Sequence, residues 1–380
     1  MDFEFTKEQK DIARAAREFA EKEFPERAEE FDANETFDEA LFKKAADLGF
    51  IGMYLDEKYG GAGLGRMEQC ILQEEFAAVD AGISTAILTS CFGSEVIQEF
   101  GTEEQKQTYL PPLTRGEKVM GSAFTEPDAG SDLASATTSG VIDGDDLVIN
   151  GNKMFITNGK RASFLICFVM TDPDNPKRHK RFSMYIVETG KPGYDCNKLT
   201  GKLGIRASET TEIAFSDYRV PLANILGKPG DGWNAATYCF NRNRIIVAAQ
   251  ALGLMRAALT ESIKHVKKRQ VFGAPLASYQ ATQFKLTDMF TWMRAAKNMV
   301  YESAWRIDQG KTDPALVAAT KAFCGQMAVR CADMALQLHG GYGYLSDYKV
   351  NRIYRDVKIT EIYEGTTEVE KTIVAKSLLA

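Results

Sequence analysis

The chain is 380 residues long, 44% hydrophobic and 26% charged, with a formal net charge of −6, which predicts two or three domains with large cores. The acidic balance disfavours a nucleic-acid binder, which needs a basic face for phosphates, although a few local arginines suffice for a small anionic ligand. Seven cysteines without a C-x-x-C pair fit reduced thiols in a cytoplasmic protein better than a disulfide framework, the three histidines have no metal-ligand spacing, and no run has the uninterrupted apolar length of a membrane span.

The N-terminus, Met1-Asp2-Phe3-Glu4-Phe5, has neither a basic region nor an apolar run and predicts no secretory leader. Thr6-x-x-Gln9 is a capping box, followed by Ile12, Ala16 and Phe19 at helical spacing. Leu41, Ala45 and Leu48 predict a second helix that stops at Gly49. Residues 60–65, Gly-Gly-Ala-Gly-Leu-Gly, read as a flexible loop. Met67, Ile71, Phe76 and Val79 predict a third helix, and Thr102 with Gln105 opens another that should end at Pro111-Pro112. These elements make an N-terminal helical domain over residues 1–117.

Over residues 118–228, glycines and turn formers punctuate short β-rich runs at 165–170, 182–187 and 211–220. Asn150-Gly151, flanked by apolar runs at 147–149 and 154–156, predicts a hairpin turn. The expectation is a middle β-domain, a small barrel or a sandwich. Helix returns over 229–380. Long amphipathic stretches cover 234–269 and 276–309, and Asp313-Pro314 starts a helix that runs to about 338. A short terminal helix follows residue 364. Long helices with short connections predict a bundle. A helical, β, helical order makes this an α+β multidomain chain and disfavours the doubly wound α/β class.

Several stretches could carry chemistry. Thr125-Glu-Pro-Asp-Ala-Gly-Ser-Asp132 can present donors to a polar ligand edge, or be an ordinary polar turn. Met154-Phe-Ile-Thr-Asn-Gly159 could pack Phe155 on a flat ring and bond its edge through Thr157, or simply end a strand. In Lys267-Lys-Arg-Gln-Val-Phe-Gly273 the lysines complement a helix C-terminus, while Arg269 with Phe272 suits a phosphate clamp. Gln337-Leu-His-Gly-Gly-Tyr-Gly343 allows close backbone approach to a ligand, and a helix cap accounts for just one of its glycines. Gly230-Asp-Gly-Trp-Asn-Ala235 approaches a dinucleotide fingerprint but lies in no βαβ unit, so it reads as a turn opening a helix. There is no Walker loop and no nucleophile elbow, so redox work would need a flavin held another way. Glu364, within Glu361-Ile-Tyr-Glu-Gly-Thr-Thr367, is either a solvated loop residue or a poorly hydrated base with a raised pKa, able to take a proton beside a thioester. The chain offers no other convincing base.

Residues 123–135 resemble the first signature of the acyl-CoA dehydrogenase family. Residues 337–356, with Gln337, Gly340, Gly341, Gly343, Asp347, Arg352 and Asp356 at the expected spacings, resemble its second. Tyr363-Glu-Gly-Thr366 follows in order, and the resemblance covers essentially the whole chain. It implies a helical domain, a β-domain and a C-terminal four-helix bundle, non-covalent FAD, and a tetramer built as a dimer of dimers. By similarity Phe124, Thr125 and Ser131 line the flavin, and Phe155 and Thr157 flank its rings. Arg269, Phe272 and Gln280 resemble residues that reach the neighbouring subunit's FAD, joined by Gln337, Gly340 and Gly341. Thr366 and Glu368 match positions near the adenosine. Ser131, Asn241, Arg244, Tyr363 and Gly365 fall on the substrate side, and residues 88–91 near the acyl pocket.

Glu364 resembles the base of the short- and medium-chain branch. Some relatives carry the base one residue before the arginine that Arg244 matches. Here that residue is Asn243, which cannot serve. Asn241 departs from the usual aspartate and Asp128 from the usual glycine. The implied reaction converts an acyl-CoA to its trans-2-enoyl-CoA. Glu364 takes the α-proton, hydride leaves for the flavin, and its own N–H with a ribityl hydroxyl polarises the thioester. Electrons would pass to an electron-transferring flavoprotein. The alternatives are an oxygen-using acyl-CoA oxidase of the same fold and a non-catalytic acyl-CoA-binding scaffold.

Overall fold

Thr6 Oγ1 accepts the Gln9 N–H and the Gln9 side chain accepts the Thr6 N–H, which opens α1 (Lys7–Glu23). The computed structural model describes residues 4–380; the first three residues of the segment expected to carry no leader lie outside it. Pro25 at the first helical position starts α2 (Pro25–Asn34), and Asp38 caps α3 (Glu39–Asp47). The glycine run at 60–65 is a packed turn, not a flexible loop. Its N–H groups bond back to Met53, Leu55 and Asp56, and a Cβ on Gly61 would lie 1.9 Å from the Leu55 carbonyl oxygen.

Helices α4 (Arg66–Val79), α5 (Ala81–Leu88), α6 (Ser94–Phe100) and α7 (Glu103–Thr114) complete the first domain. The last continues through Pro111 and Pro112 instead of ending there. The carbonyls those prolines leave without a donor belong to Gln107 and Thr108, which are exposed and open to water.

The middle domain is one connected eight-stranded sheet. Its strands are β1 (Met120–Ala123), β2 (Ser139–Asp143), β3 (Asp146–Thr157), β4 (Phe164–Met170), β5 (Phe182–Glu188), β6 (Tyr194–Lys198), β7 (Thr210–Pro221) and β8 (Ile225–Leu226). They run in the order β6-β7-β3-β2-β4-β5-β8, with β1 beside β4. One face of the sheet closes on a core in which Ile213, Phe215 and Tyr218 of β7 join Tyr185 and Val187 of β5, while the other face of β4 and β5, through Phe164, Phe168, Phe182 and Met184, packs into the core of the first domain. The expected hairpin at Asn150-Gly151 does not form. β3 runs straight through, and Gly151 (φ +143°) takes up a bulge against β7. The chain reverses at Gly144-Asp145, between the paired Asp143 and Asp146.

The C-terminal domain is a helix bundle of α8 (Gly232–Lys268), α9 (Gln280–Asp308), α10 (Pro314–His339), α11 (Lys349–Val357) and α12 (Thr367–Leu379). A small ribbon, β9 (Gln270–Val271) with β10 (Ala274–Pro275), links α8 to α9 and presents Phe272 and Gly273 at its tip. By length and apolarity α8 could cross a membrane. It instead forms the bundle centre, packed by α4, α9 and α10, with alanines and leucines buried over three-quarters of its apolar window. Its side chains therefore reach the first domain, the β-domain and the terminal loop together.

Candidate active site

Glu364 lies in the loop between α11 and α12, and the loop is bound down at each position. Thr366 caps α12 by accepting the Val369 N–H at 3.3 Å. Arg244 of α8 donates from Nε to the Glu364 carbonyl at 3.2 Å and pairs with Glu370 Oε1 at 2.8 Å. Its Nη1 donates to Asn241 Oδ1 at 3.0 Å. Lys321 of α10, buried, donates its ammonium to the Gly365 carbonyl. Tyr363 donates its hydroxyl to Gln250, whose amide reaches Thr85 of α5 at 2.9 Å. Glu364 has φ +55° and Gly365 φ +106°. A glutamate in left-handed backbone is strained, and persists only where its surroundings over-determine it.

The Glu364 carboxyl oxygen Oε2 is enclosed with no hydrogen-bond partner. Loss of hydration raises its pKa to about 7, against the pull of Arg244 and Lys321 and with a smaller push from Glu95 and Glu370. Burial lowers Lys321 to about 8 and pushes Tyr363 far up, so that hydroxyl stays neutral. The Glu364 N–H finds no backbone or side-chain acceptor among the described residues. A dry carboxylate titrating near neutrality beside a free N–H can accept a proton from carbon while holding an oxygen that gains charge.

The β-domain residues meet α8 at Phe240, one turn before Arg244. Phe124 is buried and its ring centroid lies 5.0 Å from that of Phe240, and the Arg244 guanidinium lies 5.8 Å from the same Phe240 ring. Thr125 accepts the Met154 N–H at 2.9 Å, and Thr157 pairs with Thr210 between β3 and β7. Phe155 stands 64% exposed with φ +60°, an aromatic side chain open to solvent on a strained backbone. Ser131 and Asp128 are exposed on the loop. Glu126 in the same motif is buried and braces it. Its carboxylate accepts from Thr137, Thr138 and, at 2.9 Å, from Lys153, whose ammonium also reaches the Phe124 and Phe168 carbonyls.

Arg269, Gln337, Gly340 and Gly341 line one open groove of about 580 Å³, together with the tilted His265–His339 ring pair. A Cβ on Gly340 or Gly341 would meet nothing within 4 Å, so the backbone there is open to a ligand. Phe272 projects fully exposed with φ +47°, outside that groove. Gln280 and Glu368 open α9 and α12 as exposed first-turn residues and join neither cluster.

Five residues that bear on the site escaped sequence reasoning: Glu95, Lys321, Glu370, Gln250 and Lys153. Each is a polar side chain outside the stretches singled out in the sequence, Lys153 falling one residue before Met154–Gly159. Burial marks them, and burial of a single lysine or glutamate is not written in local sequence.

Profiles of the acyl-CoA dehydrogenase N-terminal, middle and C-terminal domains match residues 6–117, 121–218 and 230–379. An acryloyl-CoA reductase (NADH) of Anaerotignum propionicum is 41% identical, over 100% of this chain and 96% of its own length. Butyryl-CoA dehydrogenase of Megasphaera elsdenii superposes with a TM-score of 0.96 at 38% identity, covering 100% of both chains. A structure solved in work on the electron transferring flavoprotein of Acidaminococcus fermentans and flavin-based electron bifurcation superposes equally well, at 39% identity over 100% of both chains. With the buried carboxylate loop, the rolled β-domain and the helical bundle in place, these matches show that the chain belongs to the acyl-CoA dehydrogenase family.

Proposed function

We propose that this chain oxidises a short acyl-CoA thioester to its trans-2-enoyl-CoA, with Glu364 as the base that takes the α-proton. The observation that carries this reading is the unpartnered Glu364 carboxyl, titrating near 7 on a strained, fully braced loop. The butyryl-CoA and acryloyl-CoA relatives support a short acyl group.

An α C–H is too weak an acid without help. The Glu364 N–H, free of other acceptors, donates to the thioester oxygen as negative charge builds there. The carboxylate beside it accepts the proton in a site that excludes water. Asn241, tied to Arg244, would contact the substrate. FAD, when bound, supplies the acceptor for the hydride that leaves the β-carbon. Phe124, Thr125, Phe155 and Thr157 would hold its ring end, and Arg269, Gln337, Gly340 and Gly341 would hold the polar end of a cofactor shared between subunits. The exposed Phe155 and the open glycine groove fit such a ligand. Exposed Phe272, Phe284, Phe290 and Trp305 suit the subunit contacts of a tetramer. The Acidaminococcus fermentans neighbour supports an electron-transferring flavoprotein as the redox partner. By microscopic reversibility the same groups serve reduction of an enoyl-CoA, so the supply of electrons sets the direction.

The test is an acyl-CoA panel mixed anaerobically with holoenzyme while flavin absorbance is followed. Straight short chains should bleach it fastest. Glu364→Gln should slow bleaching by at least about 100-fold, the usual span of general base catalysis. Bleaching by Glu364→Gln at the wild-type rate overturns the assignment.

A further inference from the structure

The base stands among four charged side chains from four helices. Arg244 of α8 and Lys321 of α10 are cations; Glu370 of α12 and Glu95 of α6 are anions. The neighbouring Tyr363 hydroxyl and Cys239 thiol are kept neutral by burial. Glu370 is spoken for by Arg244, at 2.8 Å, and Lys321 is tied to the Gly365 carbonyl. Glu95 is the outlier. It is 3% exposed and sits on a short helix with no part in the loop.

Its two oxygens have different surroundings. Oε1 accepts the side-chain amide of Asn243, which also donates to the Cys239 carbonyl at 3.0 Å. Oε2 faces the Tyr54 hydroxyl at 3.4 Å and the Arg66 guanidinium at 3.8 Å, and the Arg242 guanidinium of α8 and the buried Cys91 thiol also lie in the field of Glu95. Asn243 and Arg244 are consecutive on α8, and they bond Glu95 and the Glu364 carbonyl respectively. Cys239, one turn earlier, lies in the field of both carboxylates. The two glutamates therefore flank the same turn of α8.

A buried ion pair such as Arg66–Glu95 adds little net stability over apolar groups of the same shape. Holding α6 against α8 does not require a charge. Electrostatic balance does require one. Without Glu95, two cations would face Glu364 with one carboxylate, Glu370, to offset them. The base would then be ionised more readily and would be correspondingly weaker.

We propose that Glu95 is a positioning residue for the base: pinned by Asn243, it fixes a negative charge across α8 that offsets the Lys321 cation and keeps Glu364 a strong base at neutral pH. This rests on the reading of Glu364 as the α-proton base.

The experiment follows α-proton exchange of methoxyacetyl-CoA in D2O by NMR, using holoenzyme across a pH series. This thioester has α-hydrogens but an oxygen in the β position, so no hydride can leave and the signal reports the base alone. Glu95→Gln keeps an acceptor for Asn243 and removes the charge. Its rising limb should move down by roughly half to one pH unit, and Glu95→Asp should return it toward wild type. A Glu95→Gln limb at the wild-type pH overturns the proposal, whatever happens to its melting temperature. If that variant does not fold, Glu95→Met with Arg66→Met replaces the whole pair by apolar groups, and a smaller shift in the same direction is expected, because losing the Arg66 cation beside Oε2 offsets part of the lost negative charge. Glu364→Gln separates the two ideas. Exchange at the wild-type rate in that variant removes the base itself, whereas abolished exchange there with an unmoved Glu95→Gln limb removes this proposal alone.

Discussion

Replacing Gly365 with alanine asks whether the base loop is built around a missing side chain. Gly365 has φ +106°, and a methyl there would lie 1.9 Å from Glu370 Oε1 and 3.5 Å from Arg244 Nε. That oxygen cannot swing aside, because Glu370 is fully buried and paired with Arg244 at 2.8 Å. Left-handed backbone costs an alanine about 1 kcal/mol, and overpacking a filled site costs about 1–3 kcal/mol more. The expected loss is thus about 2–4 kcal/mol. Relief can come by moving Glu370, which carries Arg244 with it, or by moving residue 365, which carries Glu364. Either way the carboxylate shifts, and a misplacement of about 1 Å costs on the order of 100-fold in rate. Gly144→Ala, in the β2–β3 turn, is the matched control: its φ is +64° and a Cβ meets nothing within 4 Å, so only the backbone cost of about 1 kcal/mol applies. Thermal melts of the holoproteins and anaerobic flavin bleaching read both effects. A Gly365→Ala protein that melts with the control and bleaches at the wild-type rate refutes the reasoning.

As the proposed base Glu364 must be ionised to act, so bleaching should rise with pH through about 7 and then level off. Its effect on stability runs the other way. The native carboxyl binds its proton more tightly than an ordinary one, so its contribution is complete below the usual carboxylate range and is lost as pH rises through about 7. Buried Asp356, also raised to about 7, adds to the same decline. Melting temperatures of the apoprotein between pH 5 and 8 should therefore fall less steeply in Glu364→Gln than in wild type. Lys321→Met removes a cation beside the base and a donor to the Gly365 carbonyl, so it should move the bleaching limb to higher pH and cost about 1–3 kcal/mol in urea unfolding. Lys153→Met leaves the Glu126 carboxylate buried beside its threonines without its cation, at a cost of about 3–5 kcal/mol. Limited proteolysis should then cut within residues 125–132 before the rest of the domain opens.

Elements with a terminal signal were legible in the sequence. The Thr6 and Thr102 capping boxes and the Asp313-Pro314 start all form where the residues place them. Helix α5 was not legible, because Ala81 through Ile87 are buried on every side and show no helical stripe. The Asn150-Gly151 turn failed for a different reason. The dipeptide supplies the positive φ that a hairpin needs, but a bulge in a long strand needs it equally, and pairing with β7 decides between them. Glu364 was legible since an aromatic neighbour and a following glycine announce a carboxylate in an unusual place. What the sequence leaves out is the company it keeps. Asn243 reads as the loss of a base, yet its amide binds another carboxylate, Glu95, 148 positions away in sequence. The charge that a local reading finds missing from α8 is thus present beside it, supplied from α6. The acid–base character of the site belongs to the packing of α6, α8, α10 and α12 together, and no single segment of the chain carries it.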